Sequence, residues 1–146
     1  MPQRIIGNIL AGRTLVTAGA DTTVRAASRL MAEKKIGALL IVEQGRIAGI
    51  FTERDALNKV LAAGLDPDKT LLAQVMVRDL QTIRADKPLA YALHMMAEGG
   101  FRHVPVVDAD GAPVGMVSAR DALGQDMVDL ERDMRRLQEL ETSIGY

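Results

Sequence analysis

The chain has 146 residues, 48% of them hydrophobic, and 18 basic against 19 acidic residues leave a formal charge of −1 at pH 7. That length can bury one core, while the balanced charge and the lack of a basic run with interleaved aromatics argue against nucleic acid or an anionic lipid surface as partner. There is no cysteine, hence no disulfide framework, thiolate nucleophile or thiolate-held metal, and no stretch has the length of a membrane span or the apolar centre of a signal peptide; a cytoplasmic protein off the membrane is expected.

In chain order, a short extended piece at Leu15–Ala18 precedes a helix that Asp21 can cap, with Val24, Ala27, Leu30 and Met31 on one face and Lys34 and Lys35 at the cation-favouring end. Leu39 to Val42 reads as a strand, Gln44-Gly45 as a turn, and Arg46 to Phe51 as the returning strand. From Thr52 the pattern is helical, with Leu57, Val60 and Leu61 on one side, until Gly64 and the Asp66-Pro67-Asp68 break. The same order then recurs. An extended piece at Leu80–Arg84 leads to a helix capped by Asp86 with Leu89, Ala92, Met95 and Met96 inward. Val104–Val107 and Val114–Val117 form strands around a turn at Asp108–Gly111. Beyond Asp121 a long helix carries Leu123, Met127, Leu130, Met134, Leu137, Leu140 and Ile144 in one stripe, with Glu131, Arg132, Asp133, Arg135 and Arg136 elsewhere on its surface. That stripe either docks on its own domain or helps build a homodimer, and its extension beyond the repeat favours the dimer.

The repetition extends to individual residues. Segment 36–57 matches 101–123, Met31 and Glu33 matching Met96 and Glu98 at an offset of 65, and Gly49 and Asp55 matching Gly115 and Asp121 at 66. The one inserted residue, Asp110, falls in a turn. Two copies of one supersecondary unit are expected: an α/β (α+β) fold of two pseudo-twofold-related β-α-β-β-α units, 9–64 and 75–128, packed through their sheets, with a C-terminal amphipathic helix extension at 129–146. Each unit covers the face the other leaves exposed, which makes the cleft between them the place for function.

Thr52-Glu53-Arg54-Asp55 and Ser118-Ala119-Arg120-Asp121 follow equivalent strands. Each is close to a helix capping box, which is its plainest reading. A cap, however, does not need Arg before Asp in both copies. A carboxylate can accept both hydroxyls of a ribose, while Arg and a helix N-terminus favour phosphate, a set that suits a nucleotide. His103, beside Arg102 at a strand entrance, is either a ligand neighbour or a half-buried residue bonded to backbone. His94 has no partner in register and should face solvent; the methionines read as core filler. Asp66, Asp68, Asp108 and Asp110 sit in turns without the spacing of a calcium loop.

From about Ile9 to Leu123 the chain resembles the tandem cystathionine-β-synthase (CBS) domain pair, or Bateman module. The resemblance rests on Thr17–Val24, Val75–Ile83, Arg102–Val106 and Gly115–Asp121. Length and the tail Leu137–Gly145 are similar to the small stand-alone members. The resemblance implies two clefts for adenosine-containing ligands (AMP foremost, or ADP, ATP, NAD or S-adenosylmethionine), a regulatory rather than catalytic role, and no required cofactor or metal. It assigns Asp55 and Asp121 to ribose, Thr52 and Ser118 to ribose or phosphate, and Arg54 and Arg120 to phosphate. It sets Thr17 and Thr82 beside adenine or phosphate and frames the base with backbone around Ala38, Leu39, His103, Val104 and Pro105, with Arg102 adding positive charge. Two departures predict unequal clefts: Gly37–Leu40 where the second copy has Arg102–Pro105, and Ala18-Gly19-Ala20 where the family has bulkier residues and a proline. The leading function is therefore a nucleotide sensor, a homodimer that signals in trans to a regulated protein. A ligand-independent dimerisation scaffold is the alternative, and an enzyme such as a nucleotide hydrolase ranks last, since no paired His or metal-spaced carboxylates occur.

Overall fold

The computed structural model describes residues 4–144, with the side chains of 125–129, Met127 among them, outside the description. It contains two three-stranded sheets in the same order. In the first unit β1 (Thr17–Ala18) lies parallel to β2 (Ala38–Glu43), and β2 pairs antiparallel with β3 (Arg46–Thr52). In the second, β4 (Ile83–Arg84), β5 (His103–Val107) and β6 (Pro113–Ser118) repeat that arrangement. The β2–β3 turn is made by Gln44 and Gly45, both at positive φ (52° and 75°), the conformation a two-residue hairpin loop demands.

Each sheet packs on a helix, α2 (Val24–Lys34) or α5 (Leu89–Gly99), whose inward residues are those the helical period predicts. Val24, Ala27 and Met31 are buried in α2, and Leu89, Ala92 and Met96 in α5. The caps differ from expectation. Thr23, not Asp21, caps α2, its Oγ1 accepting from the Ala26 amide at 3.2 Å. Pro88 occupies the N-cap of α5 without a side-chain bond, and Asp86 pairs instead with Arg84 at 2.8 Å. Backbone from elsewhere reaches the first amides: Val24 donates to the Thr70 carbonyl at 2.9 Å and Leu89 to the Arg4 carbonyl at 2.7 Å. With those donors satisfied, an Asp cap has little left to do.

Those bonds belong to an interlock. Helix α1 (Ile6–Leu10) precedes the first unit in sequence, yet Ile6 is fully buried in the core of the second with Val104, Val106 and Val117. Conversely α4 (Leu72–Val75), which precedes the second unit, places Leu72, Val75 and Met76 in the first core with Leu39, Ile41 and Phe51. Gly49 and Gly115 permit this exchange. A Cβ on Gly49 would lie 2.8 Å from the Val77 carbonyl oxygen, and one on Gly115 2.6 Å from Leu10 Cδ1.

After Thr52 the chain makes α3 (Glu53–Asp55) and continues as a π-helical stretch over Ala56–Leu61. The wider turn breaks the expected face: Val60 is buried, but Leu57 and Leu61 are exposed. A 3₁₀ turn at Ala119–Ala122 leads into α6 (Gly124–Ser143). Leu130, Met134, Leu137, Leu140 and Ile144 are all more than half exposed, so this stretch is not docked on its own domain. None of the described helices is long and apolar enough to cross a membrane.

Candidate functional site: two unequal clefts

Strands β3 and β6 end in the two tetrapeptides, and both form the capping box. The Thr52 amide donates to Asp55 Oδ2 at 3.0 Å while Thr52 Oγ1 accepts from the Asp55 amide at 3.2 Å. The Ser118 amide likewise donates to Asp121 Oδ2 at 2.9 Å. One oxygen of each carboxylate therefore serves the cap, and what happens to the other distinguishes the copies. Asp55 Oδ1 has Lys59 Nζ one helical turn on at 3.3 Å, whereas Asp121 Oδ1 receives Arg13 Nη2 from across the unit boundary at 2.8 Å.

The surroundings follow suit. Asp55 opens onto a cleft of about 910 Å³ lined by both units, where Thr52, Arg54 and Asp55 of the first face Arg102, His103 and Pro105 of the second. That volume lies within the range of small-molecule sites. Glu53, Asn58, Asp79 and Gln81 line it too, none of them marked by the ribose or phosphate chemistry of the tetrapeptides. Glu53 closes over Gly37, its Oε1 3.1 Å from where a Cβ would stand, so the first copy's glycine makes room for a carboxylate opposite Arg102 and His103. The His103 imidazole is held below its ordinary value, first by burial and then by Arg102, with Glu53 and Asp121 pulling the other way. A neutral imidazole can both donate and accept a hydrogen bond.

The pseudo-equivalent cleft, lined by Arg13, Thr14, Val16, Ala38, Gly115 and Met116, holds about 190 Å³. Burial acts to raise the Asp121 carboxyl, but the Arg13 hydrogen bond, the Ser118 amide and the charges of Arg13 and Arg4 outweigh it and keep the group below the usual Asp value.

The remaining predicted residues are dispersed. Leu39 and Val104 point into the two cores, leaving only their backbone toward a ligand. Thr17 is exposed on β1, and Thr82 lines a separate groove with Arg84, Tyr91 and His94. Ser118, Arg120 and Asp121 are not among the residues that line either cleft; Asp121 is joined to the smaller one through Arg13, which lines it. His94, expected without a partner, lies 3.8 Å from Glu98. Among the described residues no cluster of three or more His, Asp or Glu side chains could hold a metal.

The CBS-domain family profile matches residues 6–62 and again 72–127. The chain belongs to the CBS-domain family. As a CBS pair it is similar to the meiotically up-regulated gene 70 protein of Schizosaccharomyces pombe, 39% identical over 100 residues; the match covers 68% of this chain but only 14% of the yeast protein's length. Among solved structures, a CBS-domain protein of Pyrobaculum aerophilum complexed with AMP superposes with a TM-score of 0.76 at 25% identity, over 87% of this chain and 96% of that one. The CBS domain pair of protein MJ0100, in complex with 5′-methylthioadenosine and S-adenosyl-L-methionine, gives 0.73 at 28% identity, over 83% and 94%.

Proposed function

We propose that this CBS pair is a regulatory sensor that binds an adenosine-containing ligand, AMP foremost, in the Asp55 cleft. The observation that carries the reading is the convergence of Thr52, Arg54, Asp55, Arg102 and His103 on one cleft of ligand size. Asp55 Oδ1 is paired only within its own helical turn, with Lys59 at 3.3 Å, whose Nζ also donates to the Val75 carbonyl at 3.0 Å, and ribose hydroxyls would share that oxygen. Arg54 and Arg102 supply phosphate donors, and Ile50, Phe101 and Pro105 offer apolar walls for a purine. The two adenosine-bound neighbours support the ligand class. The role is regulatory and not catalytic, with ligand favouring one arrangement of the two units and so one surface offered in trans to a regulated protein.

The exposed α6 stripe supports a homodimer. Leu130, Met134, Leu137, Leu140 and Ile144 give one helix an exposed apolar stripe, and a twofold contact would cover it with the same stripe of a second copy. Sedimentation should find a dimer that Leu137→Glu dissolves; a wild-type monomer at tens of micromolar would refute it.

Calorimetry with AMP and S-adenosylmethionine tests the ligand reading. Wild type binds one of them and Asp55→Ala loses about ten- to a hundredfold in affinity, the scale of a lost charge-assisted hydrogen bond. Asp55→Asn, which keeps the cap, separates lost binding from lost folding. If neither compound binds, or both variants bind as wild type does, the ligand-independent dimerisation scaffold is the better account. Carboxylates engaged as helix caps are what such a scaffold also displays.

A further inference from the structure

The two clefts began as copies, and one side chain now separates them. Arg13 and Arg78 occupy equivalent positions, 65 residues apart, each ahead of its unit's first strand. Arg78 turns away, Nη2 donating to the Ala73 carbonyl at 2.8 Å. Arg13 crosses to Asp121 at 2.8 Å, onto a carboxylate side chain only 11% exposed. The difference has a local cause. Asp55 has Lys59 four residues on as a cation of its own, whereas position 125, the equivalent after Asp121, is glutamine. The second carboxylate therefore draws its counter-charge from the other unit.

The rest of the N-terminal segment reinforces this arrangement. Arg4 Nη1 donates to the Asp121 carbonyl at 2.6 Å. Gly124 accommodates it: φ is +45°, and a Cβ there would lie 2.7 Å from Arg4 Nη1. Leu10 packs on Gly115, leaving about 190 Å³ where the sister cleft has about 910 Å³. Ile6 anchors the whole segment in the second core.

We propose that Arg13 is a resident occupant of the Asp121 cleft, satisfying the carboxylate that a ribose would use, so that each chain offers one open ligand cleft, that of Asp55. A ligand enters the second cleft only by displacing Arg13. The stoichiometry rests on the adenosine reading above; the closure does not.

The chain has no cysteine, so a single introduced thiol reports each cleft. Ala38→Cys sits in the closed cleft and His103→Cys at the equivalent place in the open one. With N-ethylmaleimide, A38C should react at least tenfold more slowly than H103C, and adding Arg13→Ala should raise the A38C rate at least tenfold. Met116→Cys, lining the same closed cleft, replaces A38C if that variant does not fold. An A38C rate equal to that of H103C, or unchanged by Arg13→Ala, overturns the closure. Equilibrium dialysis with AMP gives the stoichiometry: one per wild-type chain, and two after Arg13→Ala. Two per wild-type chain, or one in both proteins, overturns the proposal while leaving the adenosine reading intact. If AMP binds neither protein, the dialysis is repeated with S-adenosylmethionine; if that too binds neither, it is the adenosine reading that falls, and the labelling rates alone decide the role of Arg13.

Discussion

The Asp55 and Asp121 clefts descend from the same sequence pattern, share the same capping geometry, and differ nearly fivefold in volume. The tetrapeptides do not explain the difference. It comes from what precedes each unit in the chain: α4 and Met76 pack under Gly49 and leave Asp55 open, while α1 packs under Gly115 and delivers Arg13 to Asp121. In a duplicated fold, function is set as much by the linking segments as by the repeated motif.

The strongest perturbation of this contrast is Ile6→Ala. It empties a fully buried site in the second core and should cost about 2–5 kcal/mol, read by urea denaturation. It should also free the segment that holds Arg13, and an effect below half a kilocalorie would show that α1 is not anchored as described. Next come the paired glycines. Gly49→Ala pushes a methyl against the Val77 carbonyl, whose chain is fixed by the reciprocal Ile50–Val77 hydrogen bonds, and should cost about 1–3 kcal/mol. Gly115→Ala meets the Leu10 side chain first, which can shift more readily than backbone, and should cost less; the reverse order would show that the two linkers do not pack as described.

The smallest effect is electrostatic. Because Asp121 titrates below its ordinary value, its stabilisation is present in full above the unfolded Asp value of about 3.9, and it is lost as pH falls through the lower folded value. Arg13→Ala should remove about 1 kcal/mol near neutrality, in keeping with a half-exposed partner, and flatten the acid limb of the stability curve. A variant with the wild-type acid limb would show that the pair contributes nothing.

Much of this fold can be read from the amino-acid order. The helix faces through Val24, Ala27 and Met31, the Gln44-Gly45 turn and the equivalence of Asp55 with Asp121 follow from periodicity and repetition, which are local or self-referential signals. The caps do not follow, because the amides at Val24 and Leu89 are satisfied by carbonyls at Thr70 and Arg4, and sequence spacing does not report long-range backbone bonds. The separation of Leu57 and Leu61 from Val60 has a similar reason: a π-helical stretch abandons the period that places the three on one side. In the site, the capping tetrapeptides were legible and the occupant of Asp121 was not. Arg13 was visible as the partner of Arg78 in the repeat, but which of the two would cross to a carboxylate depends on the path of α1.

The most direct test is a crystal structure of the protein grown with AMP. The nucleotide should lie in the Asp55 cleft, its ribose on the Asp55 carboxylate and its phosphate toward Arg54 and Arg102, with Arg13 still bound to Asp121. Nucleotide held at Asp121 with Arg13 displaced, and the Asp55 cleft empty, would contradict it.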